Sequence, residues 1–337
     1  MSSLLEIHDL HVHFRTRDGV VRAVEGAELS VDHQRTLGVV GESGSGKSVT
    51  ALTVMGLTRF PNAEISGEIM FDGTDLVTLP DNQMRNVRGK RIAMIFQDPL
   101  SSLHPLFKIG WQIVEAIRNH EDVSKKVARK RTIEALHEVG IPSPEKRIDS
   151  YPHELSGGMR QRAMIAMALA LKPDVLIADE PTTALDVTVQ AQILDLIRRL
   201  KDEYQTAIVM ITHDLGVIAE LADEVAVMYA GRVMERTSRE KLFTVPELPY
   251  TWGLMRSIPR LDAPRPGRLD SIAGLPPSLI RLPSGCPFHP RCPYVMDVCL
   301  ETEPELERSE EGHLVACHLE ASERRRLGRE LISRHKS

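Results

Sequence analysis

The sequence predicts an α/β fold followed by a small cysteine-rich extension, on three observations. A β-branched apolar run ending at Val40 leads through the glycine-rich "GESGSGKS" into a segment of helical periodicity that begins at Lys47, a strand, loop and helix in succession. A second apolar run, Val175 to Ala178, reads as a buried strand and ends in two acids, Asp179 and Glu180. All four cysteines of the 337 residues, Cys286, Cys292, Cys299 and Cys317, fall in the last sixth of the chain.

A chain of this length exceeds the usual size of one core, so a large domain with an appended one is expected. An apolar fraction of 42% and a charged fraction of 26% are those of an ordinary globular protein and exclude wholesale disorder. No apolar run approaches the ~18 residues that a membrane span needs. The start "MSSLLEIHDLHVHF" lacks the basic head and apolar middle of a signal peptide. A cytoplasmic location is therefore expected, where a structural disulfide framework is not. The net charge of −5 gives no general basis for gripping a phosphate backbone, and no nucleic-acid partner is expected. The basic runs at Lys125 to Arg131 and in "ERRRLGRE" read as solvated helix faces.

Gly41 to Ser48 spells G-x-x-x-x-G-K-S. Gly41, Gly44 and Gly46 let the backbone curl so that successive N–H groups, with Ser43 among them, point at phosphate oxygens. The helix that follows adds the positive end of its dipole through Ser48 and Val49. Lys47 is expected to reach the β and γ phosphates and Ser48 to hold Mg²⁺. Asp179, leaving a strand tip, suits a second Mg²⁺ contact, and Glu180, one residue on, suits a general base for the attacking water. A third apolar strand, "IVMIT", ends at His213, placed to contact the γ-phosphate.

"ELSGGMRQRAMIAMALA" puts Ser156, Gly157 and Gly158 at the start of a long amphipathic helix, a second anion-binding helix terminus. One domain cannot easily wrap both termini around one triphosphate. Two chains placed head to tail can, each glycine loop facing the "LSGGM" of its partner with two ATP molecules between them.

In this order the motifs resemble those of the ATP-binding subunits of ABC proteins. The resemblance implies a P-loop NTPase fold, with a RecA-like core, an antiparallel β layer from the first strands and an inserted helical subdomain at about 95–160. It assigns Gly41 to Ser48 to the Walker A loop, Gln97 of "IFQDP" to a Q-loop that senses Mg²⁺ and phosphate, and Leu155 to Gln161 to the signature. Asp179 and Glu180 become the Walker B pair, Asp186 of "ALD" the D-loop and His213 the switch histidine. Phe14, on the first strand, stands where the family keeps an aromatic that stacks on adenine, although core packing explains a lone Phe equally well.

"SSLHPLFKIGWQI", "ADEPTTALDVTVQAQIL", "LPYTWGLMRSIPR" and the cysteine stretch look like the branch that imports dipeptides, oligopeptides and nickel. Met159 points to the D-type subunit. His104, Thr237 and Leu248 depart from the branch pattern without touching a catalytic motif. The resemblance implies an ATPase that powers a membrane importer, most naturally for dipeptides or oligopeptides, with nickel or another solute as alternatives. Its partners would be an F-type ATPase subunit, or a second copy in a homodimer, two integral membrane permease subunits and, indirectly, an extracytoplasmic solute-binding protein. Its place would be the cytoplasmic face of the cell membrane. The competing reading, a soluble ABC ATPase acting on nucleic acid or ribosomes, lacks the coiled-coil insertion or second cassette usual there.

Residues 1–240 are thus expected to form the ATPase domain and 241–337 the extension, where proline and glycine become frequent. The cysteine spacing is C-x5-C-x6-C-x17-C, with none of the C-x2–4-C pairs common in structural zinc sites. Four thiolates on loose loops suit a [4Fe–4S] cluster, one sulfur per iron, and the resemblance agrees. The alternatives are zinc, with His289, His313 or His318 as substitute ligands, and unmetallated buried thiols. A metal centre would fasten a tail with too little apolar surface to fold by burial alone.

Overall fold

The computed structural model describes residues 3–98, 102–183, 185–257, 272–309 and 312–336. Pro99 of the glutamine segment and Ala184 of "ALD" lie outside the described residues. The chain divides into two compact units: Met1–Ser30, Thr36–Val77 and Ile211–Ser337 form the first, Val31–Arg35 and Thr78–Met210 the second.

The first unit begins with β1 (Leu5–Thr16) and β2 (Gly19–Val31), then β3 (Thr36–Val40), α1 (Lys47–Val54), β4 (Ala63–Phe71) and β5 (Thr74–Asp75). Strands β2-β1-β4-β5 form the antiparallel layer, with β1 and β4 in register from Leu5↔Phe71 to Phe14↔Ala63. The apolar phase of β1 changes midway. Leu5 and Ile7 are buried at one parity and Leu10 and Val12 at the other, because a bulge shifts the register between His8 and His11. One extra residue turns every later side chain to the opposite face. β3 is buried at all five positions, as a central parallel strand requires.

The second unit holds α2 (Asp81–Val87), β6 (Ile92–Ile95), α3 (Ile109–His120), α4 (Lys125–Glu138), α5 (Pro144–Arg147), α6 (Gly157–Leu169), β7 (Val175–Asp179) and α7 (Val187–Tyr204). β6 and β7 pair in parallel, Ile92↔Val175 to Ile95↔Ala178. Arg91 holds Asp174 at 2.6 Å where the pair begins. α4 opens with Ser124 accepting from the Val127 N–H and closes before Gly140, whose φ of 74° lets the chain leave the helix in the left-handed region. The helix α6 is not amphipathic as the sequence suggested. Ala163, Met164, Ile165 and Ala166 are all buried in succession, because α6 packs against β6 and also against α3 and α4, which leaves its C-terminal half no solvent face.

The chain returns to the first unit through β8 (Ala207–Thr212), then α8 (Leu215–Leu221), β9 (Glu224–Tyr229), β10 (Arg232–Ser238), α9 (Arg239–Thr244), α10 (Pro249–Arg256), α11 (Val298–Glu301), β11 (Glu307–Arg308), β12 (Leu314–Val315) and α12 (Ala321–Lys336). Within this unit the strands run β11-β12-β10-β9-β3, with β3 parallel to β9 and β12 antiparallel to β10. The tail is therefore part of the first unit's sheet.

A buried polar cluster joins tail to sheet. Glu235 on β10 is fully buried and accepts from the Glu247 N–H at 2.7 Å and from the Thr251 hydroxyl. Its Oε1 also lies 2.7 Å from His313 Nε2. Glu247 accepts from Arg324 Nε of α12 at 3.2 Å, and Arg324 donates onward to the Cys317 and Leu319 carbonyls. Among the described residues no helix is long and apolar enough to cross a membrane.

Candidate functional site

The glycine loop lies between β3 and α1 in the first unit, and its sequence is dictated by space. A Cβ on Gly41 would stand 2.2 Å from the Met228 carbonyl oxygen, and one on Gly46, at φ 100°, 2.6 Å from that of Ala23. No other residue fits either position. The Lys47 side chain is buried, its ammonium donating to the Gly41 and Glu42 carbonyls at 2.7 and 2.9 Å and to Ser45 Oγ at 3.2 Å. Ser43 and Gly44 are exposed at the loop's crest, and Ser48 and Val49 are half-buried in the first turn of α1. Phe14 is half-buried on β1. His213, exposed, follows β8, and Asp214 caps α8 by accepting from the Gly216 N–H at 2.7 Å.

The acids and the glutamine come together in the second unit. Asp179 is buried at the end of β7, and Glu180 follows with φ 46°, a strained conformation for a residue with a side chain. Glu180 Oε2 accepts from Gln97 Nε2 at 2.9 Å and from Thr183 Oγ1 at 2.8 Å. These two bonds aim the carboxylate. Gln97, 83 residues away in sequence, is thus brought onto the proposed base itself. In the same unit Ser156 caps α6, accepting from the Met159 N–H at 3.3 Å, and both Ser156 and Gly157 are exposed. Gly158 has only 3.1 Å of room against Val189 of α7. Asp186, exposed, caps α7 by accepting from Val189 N–H at 2.9 Å.

Sequence reasoning missed a clamp on the glycine loop. Arg291, between the first two cysteines, is bidentate to Glu42 at 2.6 and 3.0 Å, and its side chain is only 4% exposed. The Glu42 N–H donates to Tyr250 Oη at 2.8 Å, and Phe288 packs on the rings of Tyr229 and Tyr250. Burial raises the hydroxyls of Tyr229 and Tyr250 above their ordinary value. An arginine inside a proline-rich tail was the available signal, but 249 residues separate it from its partner. Charged hydrogen bonds of this kind contribute about 1.5–3 kcal/mol. Arg291→Ala is expected to weaken ATP binding roughly ten-fold, equivalent to about 1.4 kcal/mol, in titration with a fluorescent analogue. Unchanged affinity would show that the clamp does not shape the loop.

The four cysteines converge in the first unit. Burial pushes the Cys286 thiol up to about 12 and Cys292 up to about 11, and raises Cys317, with the neighbouring cysteines adding to the effect. Cys286, Cys292 and Cys317 each accept a backbone N–H from two residues on, Phe288, Tyr294 and Leu319. The Cys286 N–H in turn donates to the Cys299 carbonyl at 2.9 Å. Among the described residues, the cysteines do not appear in a group whose donor atoms stand ready for one metal ion. His313, a substitute zinc ligand by sequence, is not available: its ring nitrogens face Glu235 at 2.7 Å and Glu247 at 3.6 Å in the buried cluster. His289 and His318 bond the Cys286 and Thr302 carbonyls.

The chain carries two family signatures in succession. Residues 24–183 match the ABC transporter family, and residues 234–299 match the C-terminal region of oligopeptide/dipeptide transporters. It is 51% identical over 316 residues to the oligopeptide transport ATP-binding protein OppD of Bacillus subtilis (strain 168), covering 94% of this chain and 88% of that protein. It is 48% identical to the dipeptide transport ATP-binding protein DppD of the same organism, over 95% and 96% of the two chains. A dimeric ATP-binding cassette solved in a post-hydrolysis state with ADP and Pi superposes at a TM-score of 0.63 with 25% identity, over 70% of this chain and 98% of that one. With the glycine loop, the two acids and the signature helix in the same order, the chain belongs to the ABC transporter family as an ABC ATPase, in the branch of the oligopeptide and dipeptide transport ATP-binding proteins.

Proposed function

We propose that this chain hydrolyses ATP to power the import of oligopeptides or dipeptides through a membrane permease. The observation that carries this reading is the likeness to peptide transport ATP-binding proteins along almost the whole chain, tail included. Gly41 to Ser48 bind the phosphates, Lys47 reaching the β and γ groups. Ser48, Asp179 and Gln97 hold Mg²⁺, Glu180 draws the proton from water, His213 contacts the γ-phosphate, and Phe14 stacks on adenine. Ser156, Gly157, Gly158 and Asp186 act across a head-to-tail dimer with a second ATPase of the F-type. Two permease subunits dock on the pair at the cytoplasmic face of the membrane, and a solute-binding protein delivers the peptide outside. The ATPase domain is assigned to 1–240, with its helical subdomain at about 95–160, and the extension to 241–337.

The donor set of the tail, four cysteines with no C-x2–4-C pair, suits an iron–sulfur centre with one sulfur per iron. Zinc bound by four thiolates at ~2.3 Å would hold the sulfurs roughly 3.8 Å apart. A [4Fe–4S] cluster spreads its four thiolates more widely, and N–H donors to the sulfurs, as at Cys286, Cys292 and Cys317, stabilise their anionic form. Bound there, the cluster supplies a rigid cross-link for four loop segments. Anaerobically purified protein is expected to be brown and to carry about four irons per chain; a colourless protein with one zinc would favour the other metal.

The transport reading is tested by purifying the chain from membranes and reconstituting the co-purifying subunits into liposomes with labelled oligopeptide. Uptake that requires ATP and Glu180 is expected. Hydrolysis with no permease attached and no peptide moved would overturn it.

A further inference from the structure

A second group of metal-ligating side chains lies far in sequence from the cysteines, on the antiparallel layer. After the bulge in β1, His11 and His13 share one face, opposite the buried Leu10 and Val12. Glu25 of the adjacent strand β2 faces both. Its Oε1 is 3.2 Å from His11 Nδ1 and in contact with His13 Nε2, and the three donor atoms all lie within 4.8 Å of one another. Zn²⁺ bound tetrahedrally at about 2.0–2.1 Å holds its ligand atoms roughly 3.3 Å apart, so small rotations bring this set onto one ion.

Two further features suit an ion. His11 Nε2, the nitrogen turned away from Glu25, is 2.9 Å from Asp9 Oδ1, the carboxylate-to-imidazole bond that orients metal-bound histidines. Asp9 holds this position at φ 45° within the bulge. The Glu25 residue is 7% exposed, yet its Oε1 is aimed at the two half-buried imidazoles. Arg22 and Arg232 stand 3.9 Å from the other oxygen, and Arg232 also pairs with Glu303 at 2.5 Å. These cations stand at Oε2 and leave Oε1 to the histidines.

We propose that His11, His13 and Glu25 form a binding site for a divalent first-row cation with affinity for imidazole, Zn²⁺ being the probe, with Asp9 positioning His11. The test titrates full-length protein with Zn²⁺ against a chromogenic chelator, beside His11→Gln/His13→Gln and Asp9→Asn in the same cysteine background. The wild type should take one more equivalent than the double variant, whose affinity at this site falls at least about 100-fold, and Asp9→Asn should weaken it about 10- to 100-fold. Co²⁺ in the extra site should show ligand-field bands without the sulfur charge-transfer absorption of a cysteine site. Circular dichroism and melting temperature confirm that the variants fold, and the single variant His13→Asn replaces the double one if it does not. Equal Zn²⁺ stoichiometry in wild type and histidine variants, or extra zinc lost only on cysteine substitution, would overturn the proposal and leave the peptide-transport reading untouched.

Discussion

Glu180→Gln is expected to bind ATP with near-normal affinity and to lose turnover by about 10²–10⁴-fold, the range that removal of a general base commonly costs. The amide is isosteric, and its oxygen can still accept from Thr183 Oγ1, which now donates to Glu180 at 2.8 Å. The loop geometry should survive, including the φ of 46°. What an amide cannot do is take a proton from water. Binding without hydrolysis should then trap the closed pair, read as an ATP-dependent shift to dimer in size-exclusion chromatography with the partner ATPase. Thr183→Ala separates aiming from proton transfer: it removes the Thr183 Oγ1 bond to the carboxylate and should cost a smaller factor in kcat, with KM little changed. Turnover undiminished in Glu180→Gln would move the base to another residue.

The parts of the site that were legible are those whose chemistry is written in contiguous residues. Gly41 to Ser48 must curl because two of its positions admit no Cβ, and a strand that ends in Asp179 and Glu180 presents them at its tip. The helix start at Ser156 was readable for the same reason, since a cap acts within three residues. Pairings between distant segments were not. Gln97 was assigned to a sensing loop, but nothing in the sequence placed it 2.9 Å from Glu180. Arg291 and Glu42 are separated by almost the whole cassette. The burial of α6 depended on what packs behind it, which periodicity within one helix does not encode. His11 and His13 meet Glu25 only through the bulge in β1 and the neighbouring strand β2.

Glu235→Ala should produce the largest loss of stability, because it strands several partners at once. The Glu247 N–H, the Thr251 hydroxyl and His313 Nε2 all lose their acceptor in a region where Glu235, Glu247 and Thr251 are 0% exposed. Leaving a buried hydrogen-bonding group without its partner costs about 1–3 kcal/mol, and here three are left at once. The effect should also be local. His313 adjoins β12, which extends the sheet from β10 through Glu235↔Val315, and Arg324 links the same cluster to the carbonyls around Cys317. Loss of Glu235 should therefore raise amide exchange in β12 and α12, with β6 and β7 in the other unit unaffected. Urea unfolding and hydrogen exchange measure both. Replacing the whole set, Glu235→Leu with Thr251→Val and His313→Leu, should recover part of the loss, because apolar side chains need no partners. A wild-type midpoint in Glu235→Ala would mean that the polar cluster fastens nothing, and the attachment of the tail would then rest on the pairing of β12 with β10.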